Sequence, residues 1–573
     1  MPRYRVYLEI APGGLTMAHL PDLPGFLVRA PSPGQALEQV PEAVRSYYAW
    51  LRGHGEATPV EEEKAIEIEV AGESSGFGPF ESGDAAALFP PDQAAISPEE
   101  MEHLFRRMGY SRADLLELVR DLPDGVRDWR PDPHTRTIRQ VLRHVGNAEE
   151  WYVSRIVSPD TLPAEWEHDE AMPILEFLEM ERCTAVERLR GLSQAERSEV
   201  FHLTRWTQHP EEPWTARKVL RRFLEHEREH SDEIRERLSL YRRHLLAHLA
   251  AARAELLERL VGLQEQLLTK EPACGVWTNQ DVLVHIAAWD RWVRRELGHL
   301  LAGEAADVSA VRDINGYNAA NVAAWRGRSL DEVVAELQQA HTAWTSWLES
   351  VAAGEYFQRR SVGRGNWWPP FWIEVFRKHD AEHTHILVAW REGRGRPAGC
   401  GPQSVLLATL QACREELLAA ISLVPVEERG SRAVCGTWTL RDVLGHLADW
   451  EQYALQGLRD MAAGRPPQVE YVTDEEAWNQ AQAQKRRDQP WEAVWADFQS
   501  TCAALMDVLQ GMDSAALART FPGVWDEETT PYAWALLALV HDREHARDIR
   551  EAMAGQAGLV EAPTRKRWKS RGE

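Results

Sequence analysis

Three pairs of histidines, each spaced four residues apart, are the part of this chain best suited to chemistry. The segments read HEREH (226–230), HDAEH (379–383) and HDREH (541–545). Four residues are about one helical turn, so the two imidazoles of a pair would lie on the same helix face. An isolated pair of this kind is more often a solvated helix face than half of a metal site.

A single histidine precedes each pair, inside a motif that recurs along the chain. CGVWTNQDVLVH (274–285) and CGTWTLRDVLGH (435–446) align at an offset of 161 residues, and TIRQVLRH (137–144) is a weaker copy. Three imidazoles leave a coordination position for water or substrate, as in catalytic zinc sites; buried histidines without metal are the alternative. The repeats predict three metal sites, with the ligands His144, His226, His230, His285, His379, His383, His446, His541 and His545.

Helices must position these ligands. Each early histidine follows a threonine that can cap a helix, with Gln or Asp three residues later to complete a capping box. Further amphipathic segments, such as 329–351 and 491–512, lie between the ligands. Each repeat therefore predicts about four helices that form a bundle with the site in its core. No Gly or Pro occurs between 215 and 261, so one helix is predicted to run from the first bundle into the second.

The N-terminal segment differs from the repeats. Val6, Leu8 and Ile10 alternate with polar residues, as do the apolar residues of 65–70, and both segments predict strands. A helix is expected over about 33–52, in a β-β-β-α-β order. The predicted fold is mainly α, with three tandem four-helix bundles behind a small α+β domain. The expected order is an α+β domain at 1–75, a linker at 76–96, bundles at 97–240 and 241–393, a linker at 394–403, a bundle at 404–556 and a basic tail at 557–573.

The charge, hydropathy and cysteine pattern disfavour nucleic-acid-binding, membrane and secreted proteins. A net charge of −24 disfavours nucleic acid as a partner, because phosphates would be repelled. No apolar run approaches the roughly 18 residues of a membrane span. The N-terminus lacks the pattern of a secretory signal, and the six cysteines form no CxxC pair. A cytoplasmic protein with reduced thiols is expected.

The threefold histidine pattern resembles the DinB/YfiT-like superfamily of four-helix bundles, which binds a divalent metal through one His of the second helix and an HxxxH of the last. The second and third repeats look closer to the ClbS/DfsB branch, through INGYNAANVAAWRGRSLDEV (314–333) and DEEAWNQAQAQKRRDQPWEAV (474–494). This resemblance suggests that Asn318 and Asn479 line a substrate pocket; helix capping is the alternative. The metal is expected to be Zn, Ni or Fe.

The resemblance implies hydrolysis of small electrophilic molecules, or transfer of a low-molecular-weight thiol to them, in detoxification or stress protection. Glu229, Glu382 and Glu544, each before the second His of a pair, are candidate bases, with a solvated carboxylate as the alternative. HxxEH also matches a zinc-protease signature, but that signature takes a downstream carboxylate as third ligand, whereas here an upstream histidine is available. A non-catalytic, metal-stabilised binding protein is the alternative function.

The segment DLPGFLVRAPSPGQALEQVPEAVRSYYAWL (22–51) resembles the HicB-like antitoxin domain. That resemblance implies a protein partner. A DNA-binding segment often follows this domain, but here a Gly- and Pro-rich stretch at 72–93 follows instead. An interaction or oligomerisation module is therefore expected, and a purely structural domain is the alternative.

Overall fold

The structure is a computed structural model that describes residues 3–58, 66–75, 87–157, 172–202, 209–363, 365–392 and 399–554. The predicted basic tail at 557–573 lies outside these ranges, as do parts of both predicted linkers. The chain divides into two compact units. One comprises Met1–Asp128 and Arg136–Arg237, and the other Trp129–Thr135 and Leu238–Glu573.

The N-terminal domain is a four-stranded sheet with one helix, in the predicted β-β-β-α-β order. Its elements are β1 (Arg3–Ile10), β2 (Thr16–His19), β3 (Leu27–Ala30), α1 (Pro33–Gly53) and β4 (Glu67–Ser75). The strand order is β3-β2-β1-β4, with β4 parallel to β1 and the other pairs antiparallel. Val6 and Leu8 of β1 pack with Val40 and Val44 of α1 in the domain core, which explains their spacing of two and four residues.

The first bundle begins where its capping signals predict. Its helices are α2 (Pro98–Val119), α3 (Asp124–Arg127), α4 (Ile138–Val153), α5 (Ile174–Arg190) and α6 (Ala216–Glu258). Ser97 Oγ accepts a hydrogen bond from the Glu100 amide, and the Glu100 carboxylate accepts one from the Ser97 amide, so the capping box before α2 is formed. Thr137 caps α4 in the same way. Helix α6 is continuous over 43 residues, as the lack of Gly and Pro predicts.

The second and third bundles repeat one plan. Bundle 2 continues from α6 with α7 (Glu265–Thr269), β5 (Pro272–Cys274), β6 (Trp277–Thr278), α8 (Asn279–Leu301), α9 (Ser309–Arg312), α10 (Ile314–Ala324), α11 (Leu330–Ser350), α12 (Ala353–Tyr356), β7 (Arg360–Val362), β8 (Gly365–Trp367) and α13 (Pro369–Glu392). Bundle 3 comprises α14 (Gln403–Ile421), β9 (Ala433–Cys435), β10 (Trp438–Thr439), α15 (Leu440–Ala462), α16 (Glu475–Arg486), α17 (Trp491–Gln510), α18 (Ser514–Leu517), β11 (Phe521–Pro522), β12 (Glu528–Thr529) and α19 (Pro531–Ala552).

The repeated CGxW segment is a tight hairpin that leads into the ligand-bearing helix. Gly275 and Gly436 adopt φ values of 61° and 57°, which a two-residue hairpin turn requires and which other residues rarely adopt. Thr278 and Thr439 follow at once and cap α8 and α15 with complete capping boxes. The recurring Cys, Gly, Trp and Thr thus form a hairpin and an N-cap that fix where the ligand-bearing helix begins.

Bundles 2 and 3 share a hydrophobic core. Leu257 of α6 and Leu260 just after this helix belong to the same buried cluster as Leu406 of α14 and Trp534 of α19. The Gly262 amide also donates a 2.9 Å hydrogen bond to the Tyr532 hydroxyl. None of the helices in the described ranges is long and apolar enough to cross a membrane.

Candidate metal centres

The structure brings all nine predicted ligands together in three sets, one in each bundle. The early histidine comes from α4, α8 or α15, and the HxxxH pair comes from α6, α13 or α19. Within each set the ligand atoms lie within 4.8 Å of one another. The sets are His144, His226 and His230; His285, His379 and His383; and His446, His541 and His545.

The first histidine of each pair lies at the centre of its trio. His226 Nε2 lies 3.0 Å from His144 Nε2 and 3.1 Å from His230 Nε2. In bundle 2, His379 Nε2 lies 2.8 Å from His285 Nε2 and 3.2 Å from His383 Nε2. An imidazole nitrogen has one in-plane proton or one lone pair, so it cannot make both contacts as good hydrogen bonds.

A metal ion fits this arrangement of nitrogens. Zinc–nitrogen bonds of about 2.0–2.1 Å in a tetrahedron place neighbouring ligand nitrogens roughly 3.3 Å apart, close to the distances in bundles 1 and 2. In bundle 3, His446 Nε2 lies 2.8 Å from His541 Nε2, and the His545 ring centroid lies 4.9 Å from that of His541. Three nitrogen ligands leave room for a fourth ligand, which a catalytic site requires.

Burial favours the neutral form of several of these imidazoles, which is the form that binds metal. Burial lowers the pKa of His144 and His446 to about 4, with another histidine of the same trio adding to the shift. It lowers the pKa of His541 to about 2, again with its two trio partners contributing. The pKa of His226 is also well below its usual value, chiefly because of burial.

Asn318, predicted to line a substrate pocket, contacts a candidate ligand. Its Oδ1 atom accepts hydrogen bonds from His285 Nδ1, at 3.1 Å, and from Trp289 Nε1, at 2.9 Å. An acceptor at Nδ1 fixes the imidazole tautomer and leaves the Nε2 lone pair directed at the other histidines. The Asn318 amide therefore orients His285, a candidate metal ligand. This contact does not test the predicted role of Asn318 in substrate binding.

Asn479 occupies the matching position in bundle 3. Its Oδ1 atom accepts a 2.9 Å hydrogen bond from Trp450 Nε1, and Trp450 lies 161 residues after Trp289. A small cavity beside His446 is lined by Asn479, Gly445 and Arg486. This cavity is about the size of one water molecule, so it does not test the predicted role of Asn479 in substrate binding.

The candidate bases differ between bundles. Glu382 and Glu544 are exposed on α13 and α19. Glu229 is only 18% exposed, and its Oε1 atom lies 3.0 Å from Arg29 Nη1 of the N-terminal domain. Arg29 partly covers this carboxylate, so bundle 1 lacks the exposed carboxylate found in the other two.

A buried arginine ties together the helices that carry the ligands, and the sequence motifs did not reveal it. Arg253 of α6 contacts Asp290 of α8 at 3.0 Å and Asp380 of α13 at 2.8 Å. Asp290 follows His285 by five residues, and Asp380 follows His379 directly. Such a pair is costly to break when one partner is removed, so it fixes the separation of the two ligand helices.

The other bundles repeat this ion network. Its members are Arg112, Glu149 and Glu227 in bundle 1, and Arg414, Glu451 and Asp542 in bundle 3. Arg253 and Arg414 are 161 residues apart, like the hairpins and the early histidines. This shared offset was the sequence signal that could have revealed the buried arginine. A charged residue in a helix usually faces solvent, so the offset alone did not identify Arg253 as buried.

Comparison with known proteins identifies the repeats. The model of the DinB superfamily matches residues 108–234, 248–387 and 409–549, and each match spans one histidine trio. Searches of curated proteins and of solved structures found no match. Because the three matches together cover more than half of the chain and coincide with its three bundles, the chain belongs to the DinB superfamily.

Proposed function

We propose that this protein is a metal-dependent enzyme that hydrolyses small electrophilic molecules or transfers a low-molecular-weight thiol to them. The observation that supports this is the central Nε2 atom of each HxxxH pair, which faces a second imidazole nitrogen in all three bundles. A bound divalent ion with an open position would polarise an electrophile or activate water or a thiol. We further propose that it acts in the cytoplasm, in detoxification or stress protection.

Bundles 2 and 3 are the proposed reacting sites, because aromatic and amide side chains surround an early histidine there. The ring centroids of Trp277 and His285 lie 5.1 Å apart, and those of Trp438 and His446 lie 5.0 Å apart. These indoles exclude water from one side of the imidazole. In bundle 2, Asn318 holds the His285 proton on Nδ1, so that nitrogen takes no part in proton transfer.

In bundle 1 we propose that the metal stabilises the bundle and takes no part in catalysis. This bundle would then match the alternative function, a non-catalytic, metal-stabilised binding protein. Arg29 pairs with Glu229, the carboxylate next to His230, whereas the corresponding Glu382 and Glu544 are exposed. His19 of β2 is fully buried, with its Nδ1 atom 3.1 Å from Glu225 Oε1 on α6. The N-terminal domain thus packs beside this trio, and we propose that its remaining surface binds a protein partner or a second copy of the chain.

The test combines metal analysis with turnover. We expect the three trios together to bind about three equivalents of Zn, Ni or Fe per chain, and His379→Ala and His541→Ala each to lose one of these equivalents. Turnover of epoxide and activated-ester probes, with and without a small thiol, should fall in both variants. His385→Ala is the matched control, because His385 is an exposed residue on the same helix as His379.

The outcomes separate the candidate functions. Full turnover in both ligand variants, with circular dichroism unchanged, would refute the enzyme proposal. Three bound metals without turnover of any probe would favour the metal-stabilised binding protein. No metal in protein purified without chelator, and none taken up on addition, would show that the trios are structural histidines.

A further inference from the structure

A second cluster of metal-binding side chains lies beside the trio of bundle 3. Cys435 ends β9, and Asp548 lies three residues after His545 on α19. Asp548 Oδ2 lies 3.4 Å from Cys435 Sγ and 3.3 Å from His545 Nδ1. The three ligand atoms all lie within 4.8 Å of one another.

The backbone around these residues is well fixed. Cys435 pairs with Trp438 across the tight turn at Gly436, so the thiol is held at the end of a hairpin. His545 and Asp548 are three residues apart on one helix and therefore share a face. Separations of 3.3 and 3.4 Å match those between ligands around one tetrahedral ion, which are roughly 3.3–3.7 Å for bonds to N, O and S.

The other two bundles each lack part of this cluster. Bundle 2 has the equivalent thiol, Cys274, but Ile386 stands three residues after His383, the second histidine of its HxxxH pair. Bundle 1 has the carboxylate, Glu233, which lies 2.7 Å from His230 Nδ1 and pairs with Arg237, but its lead-in segment has no cysteine. In the described residues only bundle 3 combines thiol, imidazole and carboxylate.

We propose that Cys435 Sγ, His545 Nδ1 and Asp548 Oδ2 form a separate binding site for a thiophilic divalent cation such as Zn²⁺, Co²⁺ or Cd²⁺. A thiolate together with an imidazole selects such ions over Mg²⁺ and Ca²⁺, which prefer oxygen ligands. Binding releases the Cys435 thiol proton to solvent and, where a trio metal occupies His545 Nε2, also the proton on His545 Nδ1. His545 is shared with the trio, whose other members, His446 and His541, do not belong to this site.

The first test is a Co²⁺ titration of the full-length, metal-free protein. A thiolate ligand produces sulfur-to-cobalt charge-transfer absorption in the near ultraviolet, whereas imidazole ligands alone do not. We expect this band in the native chain and in Cys274→Ser, and its loss in Cys435→Ser. Absence of the band from the native chain, or its persistence in Cys435→Ser, would overturn the proposal.

A second test uses the native chain without any substitution. Alkylation of each cysteine is followed by mass spectrometry with and without Zn²⁺, and we expect Zn²⁺ to slow modification of Cys435 at least tenfold. The modification rate of Cys274 should change little, because bundle 2 has Ile386 at the position that Asp548 occupies in bundle 3. Equal protection of both thiols, or no protection of Cys435, would contradict the proposed site.

The variant His541→Ala separates this site from the trio. It removes a trio ligand but none of the three proposed ligands, so the charge-transfer band and the protection of Cys435 should persist. Loss of both in this variant would show that Cys435 belongs to the trio site instead. Retention of both with no metal at any trio would uphold the second site while refuting the proposed function.

Discussion

Replacing Asn318 by alanine should weaken metal binding at the second bundle without unfolding it. The substitution removes the acceptor at 3.1 Å from His285 Nδ1 and at 2.9 Å from Trp289 Nε1. His285 then loses the contact that fixes its tautomer and ring orientation. Losing such a partner typically costs about 10- to 100-fold in metal affinity, which is roughly 1.4–2.8 kcal/mol.

The structural cost should remain modest. Two hydrogen bonds are lost, each worth about 0.5–1.5 kcal/mol to stability. Asn318→Asp is the conservative variant, because its carboxylate keeps the acceptor and should retain metal affinity near or above that of the native chain. Asn321→Ala is the matched control, since Asn321 lies one turn further along α10 and its amide donates to the Tyr317 carbonyl, away from the trio.

The assay is competition with a chromophoric chelator on the fully loaded, full-length protein. Of the three equivalents held by the trios, we expect one in Asn318→Ala to transfer at a chelator concentration about 10- to 100-fold lower than in the native chain. Asn318→Asp and Asn321→Ala should follow the native curve closely. Unchanged transfer of all three equivalents from Asn318→Ala, or an equal effect of Asn321→Ala, would refute the assigned role.

Three further predictions follow from burial and packing. First, because the pKa of His446 is about 4 in the folded chain and near 6.5 when unfolded, the unfolded state binds more protons between these values. The metal-free protein should therefore be most stable above about pH 6.5 and lose stability as the pH falls toward 4. Urea denaturation measures the free energy of unfolding at each pH, and a constant value over this range would contradict the lowered pKa of His446. Second, Asp380→Ala should destabilise the protein by about 3–5 kcal/mol, because it leaves Arg253 with an incomplete buried network. Arg328→Ala, which breaks only the exposed pair with Glu332, should cost at most about 1 kcal/mol; similar midpoints of chemical unfolding for the two variants would disprove the distinction. Third, a Cβ atom at Gly146 would lie 2.3 Å from Phe177 Cε1, so Gly146→Ala should destabilise by about 1–3 kcal/mol despite its better helix propensity. Gly109→Ala in α2 meets nothing within 4 Å and should stabilise by about 0.5–1 kcal/mol, and thermal unfolding of the two variants should shift in opposite directions.

Local signals in the sequence determined where the ligand helices begin and which residues share a face. Thr137, Thr278 and Thr439 cap their helices with the expected capping boxes, because capping depends only on neighbouring residues. The HxxxH spacing places two imidazoles on one face for the same reason. Repetition of both signals three times then indicated a trio in each bundle.

Tertiary structure decided how the trios are held and how they differ. Arg253 looks like a surface residue in the sequence, yet folding brings it between Asp290 and Asp380, which are 37 and 127 residues away. The pairing of Arg29 with Glu229 and the meeting of Cys435 with Asp548 likewise join residues that are distant in the chain. No periodic pattern predicts such contacts, because they depend on which helix faces pack together rather than on which residues are neighbours.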